Sequence, residues 1–250
     1  DVWVVGVDGS GLRQLTKHEA SDHTARWAPD GASLFFLSSR SGSSQVWRLA
    51  LDGGEPTQVS SFPLDVGTLH VFPDGERLAV TMEVWPDAAS PAETAAPGAE
   101  APASSARVFE QLLFRHWDTL EDGRRSHVFV WRIGADEAVD LMQGMDVDTP
   151  TKPFGGGEEI AVSPDGSEVV FAAKAVGREA AWSTDVDLWA APADGSSAPR
   201  CLTESNPAWD TGPSYSPDGK RLARPAMERP GYAPDRPRIV VPDRAPGDQR

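Results

Sequence analysis

Short apolar runs separated by tight-turn signals recur along the chain. Runs such as Leu34–Leu37, Leu78–Val84 and Val169–Ala172 are rich in β-branched and aromatic residues, and each predicts a strand. A Pro-Asp-Gly turn precedes each of these runs and also the run that ends the stretch "YSPDGKRLA" at Tyr215–Ala223. Proline fixes φ, aspartate bonds to its own backbone and glycine tolerates positive φ, so each turn predicts a hairpin into the strand that follows.

The turn and its strand form a sequence repeat. The prolines of the four turns are separated by steps of 44, 91 and 53 residues, at Pro29, Pro73, Pro164 and Pro217. A second motif recurs out of phase with the first: an aromatic strand and a turn that usually carries Asp-Gly, at residues 1–16, 45–60, 127–142 and 187–203. The middle step is about two periods of ~40–50 residues. We therefore expect a further repeat, with its turn signal replaced, between residues 71 and 162.

These repeats predict an all-β chain. Several short strands in about 45 residues are typical of a β-propeller blade. A parallel α/β fold would need amphipathic helices of roughly 10–15 residues between strands, which the sequence does not show, and a β-sandwich does not repeat its own sequence. We expect residues 1–250 to form a partial β-propeller domain with about four blades visible and incomplete blades at both ends. Since both ends fall inside repeats, we expect the chain to be truncated.

One segment interrupts the pattern. Residues 86–106, "PDAASPAETAAPGAEAPASSA", contain no aromatic residue and no Val, Ile, Leu or Met. Such a segment buries too little apolar surface to offset the entropy of ordering it. We expect a mobile low-complexity insertion between strands.

Charge and composition narrow the range of partners. The 38 acidic residues outnumber the 23 basic ones, giving a formal net charge of −15, so nucleic acid is a poor partner. No run approaches the ~18 apolar residues of a membrane span, and we expect no membrane partner. The single Cys201 excludes an internal disulfide. With the N-terminus expected to be missing, localisation stays open between the cytoplasm and the periplasm.

The chain lacks the usual signatures of catalysis. It contains no Gly-x-Ser-x-Gly nucleophile elbow and no phosphate-binding loop. His18 and His23 lie in a predicted loop without the spacing of a metal site. The stretch "DVDTP" from Asp146 lacks the glycine and terminal glutamate of a calcium loop, which favours a turn. We predict no catalytic residue, no metal and no cofactor in this chain.

Two segments depart from ordinary blade sequence. In residues 109–130, charged side chains surround aromatic ones; residues 227–238 are rich in proline, which favours an irregular connection. The candidate substrate-binding or domain-interface residues of the two segments are Arg115, His116, Trp117, Glu121, Arg124, Arg125, Glu228 and Arg229. The alternative is an ordinary solvated hairpin whose charges form surface pairs worth ~0–1 kcal/mol each.

A family resemblance rests on five short runs: "FLSSRSGSSQVW", "RHWDTLEDGRRSHVFV", "PFGGGEEIAVSPDG", "AWSTDVDLW" and "MERPGYAPDR". With them, nearly the whole chain resembles the propeller of the prolyl oligopeptidase family of serine peptidases, in the branch with acylaminoacyl-peptidase-like and bacterial dipeptidyl-peptidase-like enzymes. The resemblance implies a C-terminal α/β-hydrolase domain that carries the catalytic residues and lies outside this chain.

The resemblance implies a function and a set of partners. The parent protein would hydrolyse short peptides, either as an exopeptidase that cuts near a chain end or as an oligopeptidase. The propeller would restrict access to the catalytic serine. Its partners would be short peptides and the hydrolase domain of the same protein, with a homo-oligomer as a further option. Glu121 and Glu228 would suit a terminal amine, and the arginines a carboxylate.

A rival interpretation is a non-enzymatic propeller, similar to the Tol-system translocation protein, that binds partner proteins. Such propellers share the Pro-Asp-Gly turns and the "DGSGLRQLT" style of strand exit. A propeller of that class does not account for the runs "RHWDTLEDGRRSHVFV" and "AWSTDVDLW".

Overall fold

The chain folds into a succession of antiparallel sheets. The computed structural model describes residues 1–96, 106, 108–109, 112–233 and 235–243. A two-stranded sheet comes first, with β1 (Trp3–Val4) and β2 (Arg13–Gln14). The first four-stranded sheet follows, with β3 (Asp22–Trp27), β4 (Ser33–Ser38), β5 (Gln45–Ala50) and β6 (Thr57–Gln58).

The second four-stranded sheet carries an insertion. It begins with β7 (Leu69–Val71) and β8 (Arg77–Val84). The insertion then contributes a short helix and a separate hairpin, α1 (Pro91–Ala95), β9 (Arg115–His116) and β10 (Thr119–Leu120). The sheet is completed by β11 (Arg125–Arg132) and β12 (Ala138–Asp140).

The remaining strands form two sheets. The third four-stranded sheet contains β13 (Ile160–Val162), β14 (Glu168–Ala173), β15 (Asp187–Pro192) and β16 (Arg200–Cys201). A three-stranded sheet follows, with β17 (Ser214–Tyr215), β18 (Leu222–Ala226) and β19 (Arg238–Val240). Single 3-10 turns lie at Gly157–Glu159 and Gly177–Ala181. None of the helices in the described residues has the length and apolar character needed to cross a bilayer.

The all-β prediction and the Pro-Asp-Gly turns are confirmed. In all four turns the glycine has φ between 66° and 69°, and the aspartate side chain accepts a backbone N–H two residues on at 2.9–3.1 Å. Among the described residues, three four-stranded sheets lie between a two-stranded and a three-stranded sheet, which agrees with about four visible blades.

The prediction of a further repeat between residues 71 and 162 is wrong. Strands β8 and β11 pair along their full length, from Arg77 opposite Arg132 to Val84 opposite Arg125. The step of 91 residues is therefore one blade whose second and third strands are separated by residues 85–124. The spacing between turns depends on the number of residues between them, and an insertion increases that number without adding a blade. Of the predicted insertion at 86–106, the described part contains α1, while residues 97–105 lie outside the described residues.

The four-stranded blades are buried on both faces against their neighbours. Along β14, Val169 and Phe171 pack toward the preceding blade and Val170 and Ala172 toward the following one. This alternation follows from the two-residue period of a strand, and it explains why the sequence shows continuous apolar runs. The first strands β3, β7, β13 and β17 lie next to one another in turn, so they line the propeller axis.

Candidate functional site

Topology places both unusual segments on one face of the propeller. The Pro-Asp-Gly turns join the first and second strands of each blade, so antiparallel order sends the second-to-third connections to the opposite face. Residues 85–124 and 227–237 are both connections of that second kind. We call this face, with its connections between blades such as residues 142–159, the loop face.

The hairpin of β9 and β10 projects aromatic side chains from the loop face. Its turn contains Trp117, which has a positive φ of 48° and is 70% exposed. The indole meets the ring of Phe154 edge-on with centroids 5.7 Å apart, and Phe154 is 83% exposed. Arg115 is also exposed. Exposed aromatic side chains that contact one another mark binding surfaces more often than singly exposed ones do.

Glu121 lies at the centre of a charged cluster at the base of this hairpin. Its carboxylate accepts a hydrogen bond from Arg125 Nη1 at 3.0 Å, and its other oxygen is 3.6 Å from His116 Nε2. Lys152 Nζ approaches the same carboxylate at 3.7 Å, and the Glu121 side chain is only 10% exposed. A carboxylate with this little exposure depends on nearby cations for its stability.

Residues of the 142–159 connection complete this cluster. Arg125 also donates to Asp146 at 2.6 Å, and Lys152 Nζ lies 3.1 Å from Asp148 and 3.4 Å from Glu83. Burial alone would lower the pKa of Lys152, but the carboxylates of Asp148 and Glu83 raise it. The lysine therefore stays charged.

The Glu121 cluster carries charges of both signs. Its ion pairs join four carboxylates to the two cations Arg125 and Lys152, and two further cations, Lys174 and Arg178, line a cavity beside it. Glu121 is the carboxylate there that a positively charged ligand group could pair with.

Three cavities meet at the Glu121 cluster. One, of about 500 Å³, is lined by Glu121, Asp122 and Arg125 among others, and the other two share Lys152. The larger, of about 640 Å³, runs from Asp65 past Glu83 and Arg124 to Lys152. The smaller, of about 190 Å³, is lined by His116, Glu121, Arg125 and Lys152 among others. Since both cavities share Lys152, a ligand in either one can reach the cluster.

A buried glutamate holds the lysine's loop in place. Glu159 accepts hydrogen bonds from Thr151 N at 2.6 Å, from Thr151 Oγ1 at 2.9 Å and from Thr211 Oγ1 at 3.0 Å. Burial raises the pKa of this carboxyl. Because Thr151 directly precedes Lys152 in the chain, these hydrogen bonds fix the backbone position from which the lysine side chain extends.

The remaining candidates lie outside this cluster. Arg124 pairs with Asp122 at 2.8 Å on the hairpin side of the larger cavity. Glu228 pairs with Arg238, and Arg229 binds Asp235 at 3.0 Å and lies over the ring of Tyr232 at 4.3 Å. Among the described residues these two form a local cluster of their own. The loop face thus carries all eight predicted residues, but only His116, Glu121 and Arg125 come together.

The sequence interpretation missed four members of the cluster: Glu83, Asp146, Asp148 and Lys152. The signal was present in "DVDTPTK", where two aspartates and a lysine alternate with small residues just before the glycines of "PFGGGEE". Taken alone, this stretch predicts a turn, because no local motif links it to the hairpin. The pairing arises from the long connection between blades.

Comparison with known proteins identifies relatives along the whole chain. Dipeptidyl-peptidase 5 of Porphyromonas endodontalis is 30% identical over 244 residues, covering 96% of this chain and 34% of the relative. The Porphyromonas gingivalis protein of the same name is 29% identical over 261 residues, covering 99% and 36%. This chain is similar to these dipeptidyl-peptidase 5 proteins over nearly its whole length. It spans about a third of the length of those relatives. The comparison with family models found no match.

Solved structures support the propeller fold of this chain. Acylaminoacyl peptidase from Pyrococcus horikoshii matches with a TM-score of 0.60 at 14% identity, covering 95% of this chain and 32% of that one. TolB from Acinetobacter baumannii matches with a TM-score of 0.58 at 14% identity, covering 96% and 45%. Both likenesses show a shared fold. Together with the sequence relatives, they confirm the predicted resemblance to the propellers of this peptidase group.

Proposed function

We propose that this chain is the substrate-gating propeller of a serine peptidase that hydrolyses short peptides. The observation that carries the proposal is the similarity to dipeptidyl-peptidase 5 proteins over 96–99% of the chain. The nucleophile, its base and the oxyanion hole would come from an α/β-hydrolase domain elsewhere in the same protein. The propeller would admit peptides and hold their ends.

The Glu121 cluster suits the amine of a peptide. An amine that leaves water needs a carboxylate partner in a partly dry site, and Glu121, which lines the smaller cavity and is only 10% exposed, supplies one. Arg125 and Lys152 hold Glu121 from the protein side, which leaves its remaining hydrogen-bonding capacity for the ligand. The exposed pair Trp117 and Phe154 would contact the hydrolase domain or the substrate from the same face.

The function is tested first on the full-length protein. A fluorophosphonate probe is expected to label it, and dipeptidyl chromogenic substrates with a free amine are expected to be hydrolysed. A protein that reacts with neither would favour the rival partner-binding propeller, whose support is the fold likeness to TolB.

Replacing Glu121 with glutamine is expected to lower kcat/KM for substrates with a free amine by about 10–100-fold. A charge-assisted hydrogen bond contributes roughly 1.5–3 kcal/mol, and that contribution is lost with the charge. N-acetylated substrates of the same sequence should change by less than about threefold, since they carry no ammonium.

The control for Glu121→Gln is Asp118→Asn, in the turn of the same hairpin. Asp118 is exposed and lines none of the three cavities, and its variant should treat both substrates like the wild type. Equal losses for free and blocked substrates in Glu121→Gln would contradict a role in binding the amine. Charge-neutral variants of Arg124 and Arg125 extend the comparison, and only Arg125→Gln should alter the preference for the amine, because only Arg125 binds Glu121.

A further inference from the structure

A second polar site lies on the propeller axis, apart from the Glu121 cluster. Strands β3 and β7 are neighbours there, and they bring Arg26 and His70 to a cavity of about 390 Å³. The rest of the lining is mostly apolar or aromatic and includes Trp27, Val71 and Tyr215. In such a lining, a cationic side chain has few polar neighbours that could stabilise its charge.

The guanidinium of Arg26 lacks an acidic partner within the described part of the chain. Its recorded hydrogen bond is from Nη1 to the carbonyl oxygen of Ala25 at 3.1 Å, and it belongs to none of the ion pairs found there. The side chain is half-buried. An arginine keeps its charge under all ordinary conditions and offers five N–H donors, so most of its binding capacity is unused.

His70 adds a second unused group beside it. The Nε2 atom is buried and has no hydrogen-bond partner. Burial, and next the charge of Arg26, lower the pKa of His70 to about 4, so the ring is neutral at pH 7. The backbone of Gly157 acts in the opposite direction and raises the pKa. Buried polar atoms without partners are rare in folded proteins.

Gly157 lies against both of these nitrogens. A methyl group at this position would lie 3.3 Å from Arg26 Nη2 and 3.6 Å from His70 Nε2. The two nitrogens therefore lie beside the same small volume, which only the absence of a side chain at residue 157 leaves unfilled. A ligand atom near that volume could contact both.

We propose that Arg26 and His70 form an anion site on the propeller axis that takes a carboxylate group. A planar carboxylate can accept from the arginine fork and from an imidazole N–H at the same time. One fixed positive charge in a chain with a net charge of −15 matches a monoanion better than a phosphate dianion. The carboxylate could come from the C-terminus of a peptide on the axis or from a free small acid.

Binding is measured on the full-length protein with carbon-13-labelled histidine, following the His70 ring resonance, which His70→Gln identifies. Acetate at constant ionic strength is expected to shift this resonance saturably, and its neutral isostere acetamide is not. Arg26→Gln should raise the apparent Kd for acetate at least tenfold. The control Arg13→Gln, on an exposed side chain of β2, should leave it unchanged.

Gly157→Ala provides an independent test, since it keeps both binding groups and adds a methyl group in contact with both of their nitrogens. It is also expected to weaken acetate binding at least tenfold. A protease-resistant tripeptide with a free carboxyl group, compared with its amide, separates the two sources. Binding at least tenfold tighter than acetate identifies a peptide C-terminus, and equal binding identifies a free acid.

No saturable shift at His70, or binding unaffected by both Arg26→Gln and Gly157→Ala, would overturn the site. The readout is binding and not turnover. Failure of the proposed peptidase function would therefore leave this test intact.

Discussion

Replacing Phe171 with alanine is expected to reduce the free energy of unfolding by about 3–5 kcal/mol. Phe171 is fully buried on β14 and packs in the cluster that joins the second and third four-stranded blades, with Phe72, Val130 and Val169 among its members. Truncation would remove apolar contacts from two blades at once and leave a cavity that neither rigid sheet can close. The loss should appear as a lower urea midpoint with an unchanged m-value.

The matched control is Phe154→Ala, on the exposed aromatic side chain of the loop face. It removes a ring of the same size but only an edge contact with Trp117, so its cost should stay within about 1 kcal/mol. Equal losses for the two variants would mean that the packing between blades does not determine the stability of the propeller.

The fold could be predicted from sequence because the blade is a local unit. The turn residues Pro29-Asp30-Gly31 and their later copies fix a hairpin through backbone conformation alone, and the apolar runs after them fix strands buried on both sides. The number of repeats was overestimated because the insertion in the second four-stranded blade is not a local feature of the sequence. No local signal shows that β8 resumes its sheet at β11 after the insertion, because that pairing is made across about 40 residues.

The candidate site was predicted in part. The density of charge beside aromatic residues in "RHWDTLEDGRR" indicated an unusual segment, and His116, Glu121 and Arg125 do lie together. Their partners Asp148 and Lys152 belong to a connection between blades, and a sequence pattern cannot show which loops meet on one face. Arg26 and His70 were missed for the same reason, since each is a single polar residue on a strand whose neighbour along the axis lies in the next blade.

Lowering the pH from 6.5 to 4 is expected to cost stability through His70. The pKa of His70 falls from 6.5 to about 4 in the folded protein, because burial and the adjacent Arg26 disfavour the charged ring. Within this window the unfolded chain binds a proton that the folded chain does not, so the free energy of unfolding falls as the pH falls. A difference of this size corresponds to about 3 kcal/mol between the ends of the window.

His70→Gln isolates this contribution, because glutamine keeps a polar group on β7 and does not titrate. The variant should lose about 3 kcal/mol less than the wild type between pH 7 and pH 4, measured by urea unfolding in buffers free of carboxylate. If His70→Gln follows the wild-type curve, the ring is not held neutral by the axis, and the environment that Arg26 and Gly157 provide must be more hydrated than their positions indicate.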